Sequence, residues 1–300
     1  MQNKSPRVSI GMPVYNSEQF LDQSLAAILT QTYSDFELII SDNASTDHTE
    51  EICRAHMARD PRIQYHRNQT NLGASKNYNR VFQLSRGEYF RWAAFDDLIA
   101  RDTIAKCVEV LDSDPQYIAC HTRTVNIDHN GKFIEYYDDN FGFPSAQPHR
   151  RFRDFLKRID DYDCNAVFGL MRRSVLEKTS LIGNYHSSDK VLLAELVLRG
   201  KLFEIPEYLF LRRFHPEMST MKCKTAADFA SWYDTSEEER PKNPTIKRTG
   251  EFLKAIHNSP LNWWQKGYCL ANIGGFYLLE RRRWRRMISK TLGRAPTGPT

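Results

Sequence analysis

Along about the first hundred residues, short apolar runs alternate with segments whose apolar residues recur every third or fourth position. Short apolar runs are typical of buried strands, and the longer spacing is typical of amphipathic helices. The predicted strands are residues 7–14, 36–41 and 63–66 and a fourth, aromatic run that includes Phe90. Asn16 and Gln19 resemble a capping box at the start of the first helix, and Asp47 and Gly73 open two more. Three successive strand–helix units predict a parallel sheet with right-handed crossovers.

After residue 112 the regular alternation ends. The elements predicted there are strands at residues 117–128, 132–137 and 165–171 and a helix at residues 189–198. Asn130-Gly131 is a strong hairpin signal between the first two of these strands. We expect a mobile loop at residues 138–149 and a lid or connector at residues 218–245. The pattern predicts an α/β fold with a mostly parallel central sheet flanked by helices, a small second antiparallel sheet and a helical C-terminal extension.

Polar residues follow each predicted strand of the parallel sheet. They are Tyr15-Asn16, Asp42-Asn43, Asn71 and Asp96-Asp97, in strand order. Ligands of open parallel sheets bind beyond the carboxyl ends of the strands, so we expect these residues to share one crevice. The chain lacks the glycine-rich motifs of dinucleotide-dependent dehydrogenases and P-loop NTPases, which argues against both classes.

Composition and charge narrow the function further. The net charge is +5, and five of the six residues at 281–286 are arginines, whereas a nucleic-acid binder would carry basic patches across the fold. The six cysteines include no C-x-x-C pair, which indicates reduced thiols in a cytosolic protein and argues against a structural zinc site. No apolar run begins the chain, so we expect no secretory signal. The apolar-leaning residues 267–279 are too few for a spanning helix, which needs about 20.

Four segments together resemble one known family. "VSIGMPVYNSEQFLDQSL", "SDNASTDHT", "NLGASKNYN" and "FDD", in this order and spacing, resemble the inverting family 2 glycosyltransferases of GT-A fold. The resemblance covers about the first 100 residues well and continues more weakly to about residue 220. It implies a nucleotide-sugar donor, a divalent metal (Mn²⁺ or Mg²⁺) and sugar transfer with inversion. The expected divisions are a nucleotide-sugar-binding half at 1–112, an acceptor-binding half at 113–220, and a connector with a basic helical extension at 221–300.

The resemblance assigns several residues to the donor. They are Pro13, Tyr15, Asn16, Asp42, Asn71, Lys76 and Asp96. In this assignment Tyr15 offers a ring face to the base, Asp42 accepts a hydrogen bond from a base N–H, and Asp96 reaches the ribose or the sugar. Two purely structural alternatives stay open, because Asp42 is also a common turn residue and Lys76 is also typical of an exposed helix face.

The adjacent carboxylates Asp96 and Asp97 repel each other unless a cation or a proton intervenes. Mg²⁺ or Mn²⁺ bound by one or two carboxylates and the donor diphosphate supplies that charge. By the resemblance, Asp97 binds the metal. The common family form is D-x-D-D, whose first position here is Ala94, and this leaves the metal fewer protein ligands. The alternative is a helix N-cap before Leu98.

The segment "LRRFHPEMST" resembles one in which a histidine completes the metal shell. By that resemblance His215 is a metal ligand, and Arg212 or Arg213 meets the diphosphate. A histidine that is simply solvated in a loop is the alternative.

The expected general base is Asp189, in the stretch "HSSDKVLLAELVLRG", which resembles the acidic motif at the start of the acceptor-side helix. Inverting transfer needs a carboxylate near the acceptor hydroxyl. The family form is Glu-Asp, whereas Ser188 precedes the aspartate here, and Asp189 also suits a helix cap. The rival carboxylates are Asp160, Asp161 and Asp163, and the residues expected on the acceptor side are Asn165 and Gly169.

The sequence therefore favours a metal-dependent, hexosyltransferase-type enzyme with a glycan or lipid-linked acceptor, in the cytoplasm. Residues 262–290 mix aromatic and basic residues, so contact with the inner membrane face is an option beside an ordinary packed helix with a solvated tail. A catalytically decayed nucleotide-sugar-binding module and a sugar nucleotidyltransferase stay as alternatives, although the latter class usually has a glycine-rich basic loop after its first strand. RNA binding through the arginine block is the weakest option, and we expect no nucleic-acid partner.

Overall fold

A computed structural model describes residues 5–161, 163–223, 228, 232–233 and 244–276 of the chain. The strands are β1 (Val8–Val14), β2 (Phe36–Asp42), β3 (Ile63–Arg67), β4 (Tyr89–Trp92), β5 (Leu98–Ile99), β6 (Tyr117–Ile127), β7 (Phe133–Tyr137), β8 (Leu170–Arg172) and β9 (Lys201–Arg213). The helices are α1 (Leu21–Leu29), α2 (Thr49–Met57), α3 (Ala74–Leu84), α4 (Thr103–Ser113), α5 (Pro148–Leu156), α6 (Arg173–Leu176), α7 (Ser188–Arg199), α8 (Ser219–Lys222) and α9 (Pro244–Asn258). A 3-10 turn spans Asn165–Phe168, and a further helix spans 263–276.

Within the described residues the strands form a single sheet in the order β3-β2-β1-β4-β8-β6-β9-β5, and β7 pairs with β6. β1 to β4 are parallel to one another, as predicted. β8 runs antiparallel to β4 and β6, while β9 is parallel to β6. The antiparallel strands that we expected are thus present. They do not form a separate second sheet, because β8 joins them to the central sheet. The α/β fold with a mostly parallel core is confirmed.

Two apolar cores cover the two faces of the sheet, because successive strand side chains point to opposite sides. Leu38 and Ile40 of β2 pack with α1 and α4 on one face. Ile39, between them, joins the other face, where α3, α5, α7 and α9 pack. The paired cores fix the carboxyl ends of β1, β2 and β4 at one edge of the molecule.

Three sequence predictions of local structure are wrong. Asn16 does not begin a capping box, since its φ is +49°, its Oδ1 accepts a hydrogen bond from Thr46 N, and α1 starts at Leu21. The strand predicted at 165–171 is a 3-10 turn followed by the short β8. The segment predicted as a mobile loop at 138–149 buries two aromatic side chains and runs into α5.

Some sequence predictions concern residues that lie partly outside the described parts of the chain. Of the predicted connector at 218–245, most residues lie outside the described parts of the chain, as do the arginines at 281–286. None of the described helices has the length and apolarity to cross a bilayer. The divisions at residues 112 and 220 stay predictions.

Gly11 provides a test of the packing between β1 and α3. A Cβ added at Gly11 would lie 2.6 Å from Val81 Cγ2 and 2.8 Å from Phe90 Cζ. Gly11→Ala is therefore expected to lower the free energy of unfolding by about 1–3 kcal/mol, as overpacked cores do. Gly250→Ala is the matched control, because Gly250 lies in α9 with no atom within 4 Å of the added methyl. Its stability should stay level or rise by up to about 1 kcal/mol. Equal denaturant midpoints for both variants would contradict this packing.

Candidate active site

A cleft of about 460 Å³ lies at the carboxyl ends of β1, β2 and β4. The sequence-predicted residues on its lining are Pro13, Tyr15, Asn16, Asn71, Asp96, Asp97 and His215. They come from the ends of β1, β3 and β4 and from the segment after β9, and Asn43, which follows β2, also lines the cleft. The crevice expected from a parallel sheet is therefore present, and it gathers most of the predicted donor and metal residues.

Asp42 lies beneath the cleft and is fully buried. Its Oδ2 accepts hydrogen bonds from Tyr65 Oη and Arg67 Nη1, both at 2.6 Å, and its Oδ1 accepts one from Ser45 N at 2.8 Å. The carboxylate is thus engaged by the protein and is absent from the cleft lining. A direct bond from Asp42 to a nucleotide base stays a prediction, and it requires Tyr65 or Arg67 to yield. Lys76 is exposed on α3 and is also absent from the lining.

The floor of the cleft is a network of asparagines that the sequence analysis did not identify. Asn43 Nδ2 donates to Asn71 Oδ1 at 2.7 Å, and Asn68 Nδ2 donates to Asn43 Oδ1 at 3.0 Å. Asn77 Nδ2 donates to Ser41 O at 2.9 Å. Because satisfied buried amides hold one arrangement, this network fixes the loops that follow β2 and β3. The only signal in the sequence was the unusual density of asparagine after each strand.

Asp96 and His215 are in direct contact at one side of the cleft. The Asp96 Oδ2 lies 2.9 Å from His215 Nε2. The imidazole is buried and packs against the ring of Phe20, with the centroids 4.6 Å apart. Its Nδ1 is buried with no hydrogen-bond partner among the described residues. The alternative of a solvated loop histidine is therefore wrong.

Asp97 is held by β9. Its Oδ1 accepts a hydrogen bond from Arg213 N at 2.9 Å, and its carbonyl oxygen accepts one from Ser24 Oγ at 2.7 Å. Burial and the Asp96 carboxylate raise the pKa of Asp97 to about 8, and the Arg213 N–H and nearby guanidinium groups oppose them. The helix-cap alternative is wrong, because the residues that follow form β5 and not a helix.

The residues present are of the kinds that bind a divalent metal ion. Burial disfavours a charged Asp97 beside Asp96, and a dication offsets that cost. Carboxylates suit both Mg²⁺ and Mn²⁺. The ligand atoms of Asp96, Asp97 and His215 do not all lie within 4.8 Å of one another, so these side chains would have to close around an ion. Asp97, Asp96 and His215 are the residues that would hold the ion.

The two adjacent arginines of β9 have different surroundings. Arg213 is buried, and its guanidinium donates to the carbonyls of Asp96 and His129 and to Gln23 Oε1. It acts as a brace, and it also lies on the cleft lining. Arg212 lines the cleft as well and forms an ion pair with Asp163. Contact of either arginine with a diphosphate stays a prediction.

A second cavity of about 350 Å³ adjoins the cleft. Both cavities are lined by Ala74, Tyr78, Phe168, Arg212 and Trp232. Asp189, in the first turn of α7, lines the second cavity together with Asn165, whose Nδ2 donates to Thr124 Oγ1 at 3.1 Å. Asp189 does not cap α7, since the N-cap residue is Ser187. The predicted base and the predicted metal residues thus face two joined spaces.

The rival carboxylates are engaged elsewhere. Asp160 pairs with Lys190 at 2.8 Å and with Arg248 at 2.7 Å. Burial opposes these ion pairs, yet they lower the pKa of Asp160 to about 2. Asp163 pairs with Arg212, and Asp161 does not line the cavity. Asp189 forms no ion pair with the described residues, and its Oδ1 accepts a hydrogen bond from Lys190 N at 2.8 Å. Its role as the base stays a prediction.

Gly169 has a packing role that differs from the expected one. It is absent from both cavity linings. A Cβ there would lie 2.7 Å from Cys120 O and 3.0 Å from His121 Cβ, so the glycine permits close approach to β6. The expectation that it lets a sugar approach is therefore wrong.

Comparison with known proteins gives related sequences with limited coverage. Over 129 residues the chain is 33% identical to chondroitin synthase from Escherichia coli, covering 43% of this chain and 19% of that protein. Over 124 residues it is 34% identical to abequosyltransferase RfbV from Salmonella typhimurium, covering 40% of this chain and 37% of that one. The chain thus spans less than half the length of these curated relatives.

Solved structures share the fold at low sequence identity. S. aureus TarS 1–349 in complex with UDP-GlcNAc superposes with a TM-score of 0.67 at 15% identity, covering 90% of this chain and 72% of that chain. Mannosyltransferase PcManGT from Pyrobaculum calidifontis, in complex with GDP-Man and Mn²⁺, gives a TM-score of 0.51 at 16% identity, covering 91% and 75%. Residues 9–180, more than half of the chain, match the family model Glycosyl transferase family 2. With the cleft and its strand-end residues, this match shows that the chain belongs to glycosyl transferase family 2.

Proposed function

We propose that the chain is a metal-dependent, inverting, hexosyltransferase-type enzyme that moves a sugar from a nucleoside-diphosphate donor to a hydroxyl of a glycan or lipid-linked acceptor. One observation carries the proposal. The cleft that holds Asp96 and Asp97 opens into a second cavity that holds Asp189. A donor in the first space therefore presents its reacting carbon toward a base in the second.

The donor nucleotide and its diphosphate lie in the larger cleft. Tyr15 is half exposed there and offers its ring to the base, while Asn71 is fixed by the asparagine network. The relatives support this class of donor, since the TarS and PcManGT structures hold UDP-GlcNAc and GDP-Man. Asp42 acts by holding Tyr65 and Arg67 in place, or by direct contact once they yield.

A divalent ion bound by Asp97, Asp96 and His215, as the Mn²⁺ in the PcManGT structure suggests, would neutralise charge on the departing diphosphate. The chain contributes further to this charge balance. Arg212, at the boundary of the two cavities, places a guanidinium where the diphosphate accumulates negative charge.

Asp189 accepts the proton of the acceptor hydroxyl. The acceptor oxygen then forms a bond to the anomeric carbon on the face opposite the diphosphate, and the bond from that carbon to the diphosphate oxygen breaks. One displacement of this kind inverts the configuration at the carbon. The aromatic residues Tyr78, Phe168 and Trp232 line the passage and exclude water from the reacting atoms.

The helix 263–276 also offers a contact to membranes. Trp263 and Trp264 begin it with 85% and 51% of their surfaces exposed. In the sequence the arginines at 281–286 follow this helix. Exposed tryptophans and arginines suit the headgroup region of an anionic bilayer. We therefore propose a cytoplasmic protein that contacts the inner membrane face, which suits a lipid-linked acceptor.

Removal of the Asp97 charge tests the metal site. Asp97→Asn keeps an oxygen for the Arg213 N–H, so the fold is expected to survive. Calorimetric affinity for UDP or GDP in the presence of Mn²⁺ should fall at least about tenfold, whereas metal-free affinity stays level. Asp154→Asn on α5, away from the cleft, is the control. An unchanged Mn²⁺ dependence in D97N removes Asp97 from the metal site.

Replacement of Asp189 tests the base. Asp189→Asn should keep donor affinity within about twofold and lower turnover by about 10²–10⁴-fold, the usual contribution of a general base. Release of nucleoside diphosphate during donor hydrolysis gives the readout, because water can replace the acceptor. Asp163→Asn, also on the cavity lining, is the matched control and should stay within about tenfold of the parent turnover. Near-native turnover in D189N with loss in D163N would assign the base to Asp163. Absence of hydrolysis in the unmodified chain, despite donor binding, would favour the decayed module.

Vesicle sedimentation tests the membrane contact. The full chain should sediment with phosphatidylglycerol-containing vesicles and remain unbound with pure phosphatidylcholine. Trp263→Ala should weaken binding several-fold, because an exposed tryptophan no longer inserts at the headgroup level. Phe133→Ala removes another exposed aromatic side chain, from β7, and should change nothing. Equal binding of both variants, or no sedimentation of the parent, argues for an ordinary surface helix.

A further inference from the structure

His121, Asp139 and Glu204 form a buried cluster outside both cavities of the candidate active site. His121 on β6 faces Glu204 on the neighbouring β9 in the strand register, and Asp139 follows β7. One ligand atom from each side chain lies within 4.8 Å of the other two. The cluster thus joins three separate parts of the chain, and the proposed transfer reaction uses none of them.

The distances in this cluster do not fit a hydrogen-bonded ion pair. His121 Nε2 lies 3.6 Å from Glu204 Oε2 and 3.9 Å from Asp139 Oδ1. An N–H···O hydrogen bond spans about 2.7–3.2 Å, so neither contact is one. The nitrogen is buried and has no hydrogen-bond partner among the described residues. A buried polar atom in that condition needs an explanation.

The same distances fit ligands arranged around an ion. Zinc binds imidazole nitrogen and carboxylate oxygen at about 2.0–2.2 Å in tetrahedral geometry, which separates two ligand atoms by about 3.4 Å. The separations from His121 Nε2 to the two carboxylates exceed that value by only a few tenths of an ångström. A small inward shift of Asp139 and Glu204 therefore completes three ligands.

The surroundings hold Glu204 in place and balance the charge. Phe141 N donates to Glu204 Oε2 at 2.9 Å, and Arg123 Nε lies 3.3 Å from Glu204 Oε1. Contacts of this kind commonly orient metal ligands. Arg123 also lies 3.5 Å from Asp138, which offsets its charge. With His121 neutral, the carboxylates of Asp139 and Glu204 carry two negative charges, and one dication balances them.

We propose that His121, Asp139 and Glu204 bind a divalent transition-metal ion, best matched by Zn²⁺, at a structural site separate from the donor cleft. The ion fixes the connection between β7 and α5 against β6 and β9. That connection carries Phe141 and Phe143, which are both buried in the core. β9 continues from this point to Arg213, the brace of the carboxylate pair.

Calorimetric titration of Zn²⁺ into the full-length, tag-free chain tests the proposal. The protein is stripped with EDTA and carries Asp97→Asn, which weakens the candidate metal site in the cleft. We expect one saturable site per chain. Glu204→Gln keeps an acceptor for the Phe141 N–H and should weaken zinc binding at least tenfold. Glu207→Gln, on the same strand and paired with Lys106, is the control and should bind like the parent.

Circular dichroism establishes that each variant is folded, and Asp139→Asn replaces Glu204→Gln if the latter is not. Saturable binding that Glu204→Gln or Asp139→Asn weakens supports the site. Absence of a saturable site in the Asp97→Asn protein overturns the proposal. So does zinc binding of parent strength in the folded Glu204→Gln or Asp139→Asn variant, because the ion then lies at the surface or in the cleft.

Discussion

The candidate active site depends on holding two carboxylates side by side at the end of β4. Asp96 and Asp97 repel each other, and burial makes the charge of Asp97 more costly still. Arg213 opposes both effects, since its backbone N–H binds Asp97 and its guanidinium binds the Asp96 carbonyl and reaches α1 through Gln23. The Arg213 side chain is itself buried over the ring of Phe20. Residues far apart in the sequence thus fix the positions of Asp96 and Asp97. A bound dication would balance the negative charge of the two carboxylates.

The division of the site into two joined spaces follows from the sheet. The parallel strands β1, β2 and β4 end at the donor cleft, while β6, β8 and β9 carry the chain to the second cavity. Arg212 lies at the boundary and Arg213 beneath it, because successive strand residues point to opposite faces. One strand therefore supplies a cation on the lining of both cavities and a brace for the carboxylates.

The sequence predicted the first half of the fold well, because each strand and helix there carries its own local period. β1, β2, β3 and α3 lie within a residue or two of their predicted bounds. It failed where tertiary contacts decide the structure. The local pattern predicts that Asn16 caps a helix, whereas its side chain binds the loop after β2. It predicts a mobile loop around Phe141, whereas the buried Phe141 packs with residues of distant helices that a local pattern does not display.

The candidate active site, like the fold, could be predicted where local motifs mark its residues and not where contacts between distant residues decide. A strand-end motif located Asp96 and Asp97, and the resemblance of the segment after β9 located His215; the structure brings Asp96 and His215 into contact. Local patterns could not reveal that Asp42 is enclosed by Tyr65 and Arg67, nor that Arg213 is buried. They also gave no sign of the cluster of His121, Asp139 and Glu204, whose members meet only through strand pairing. Contacts across the sheet carry this information, and a single sequence does not display them.

The proposal that the cleft binds a nucleotide-sugar is tested most directly by thermal unfolding of the purified chain with UDP-, GDP- and dTDP-sugars, each with and without Mn²⁺. A ligand that binds only the folded protein raises its apparent stability. We predict that one nucleotide class raises the melting temperature and that this rise is larger when Mn²⁺ is present. In D97N the additional rise from Mn²⁺ should be lost. No rise with any donor, with or without metal, would contradict the assignment of the cleft as a nucleotide-sugar site.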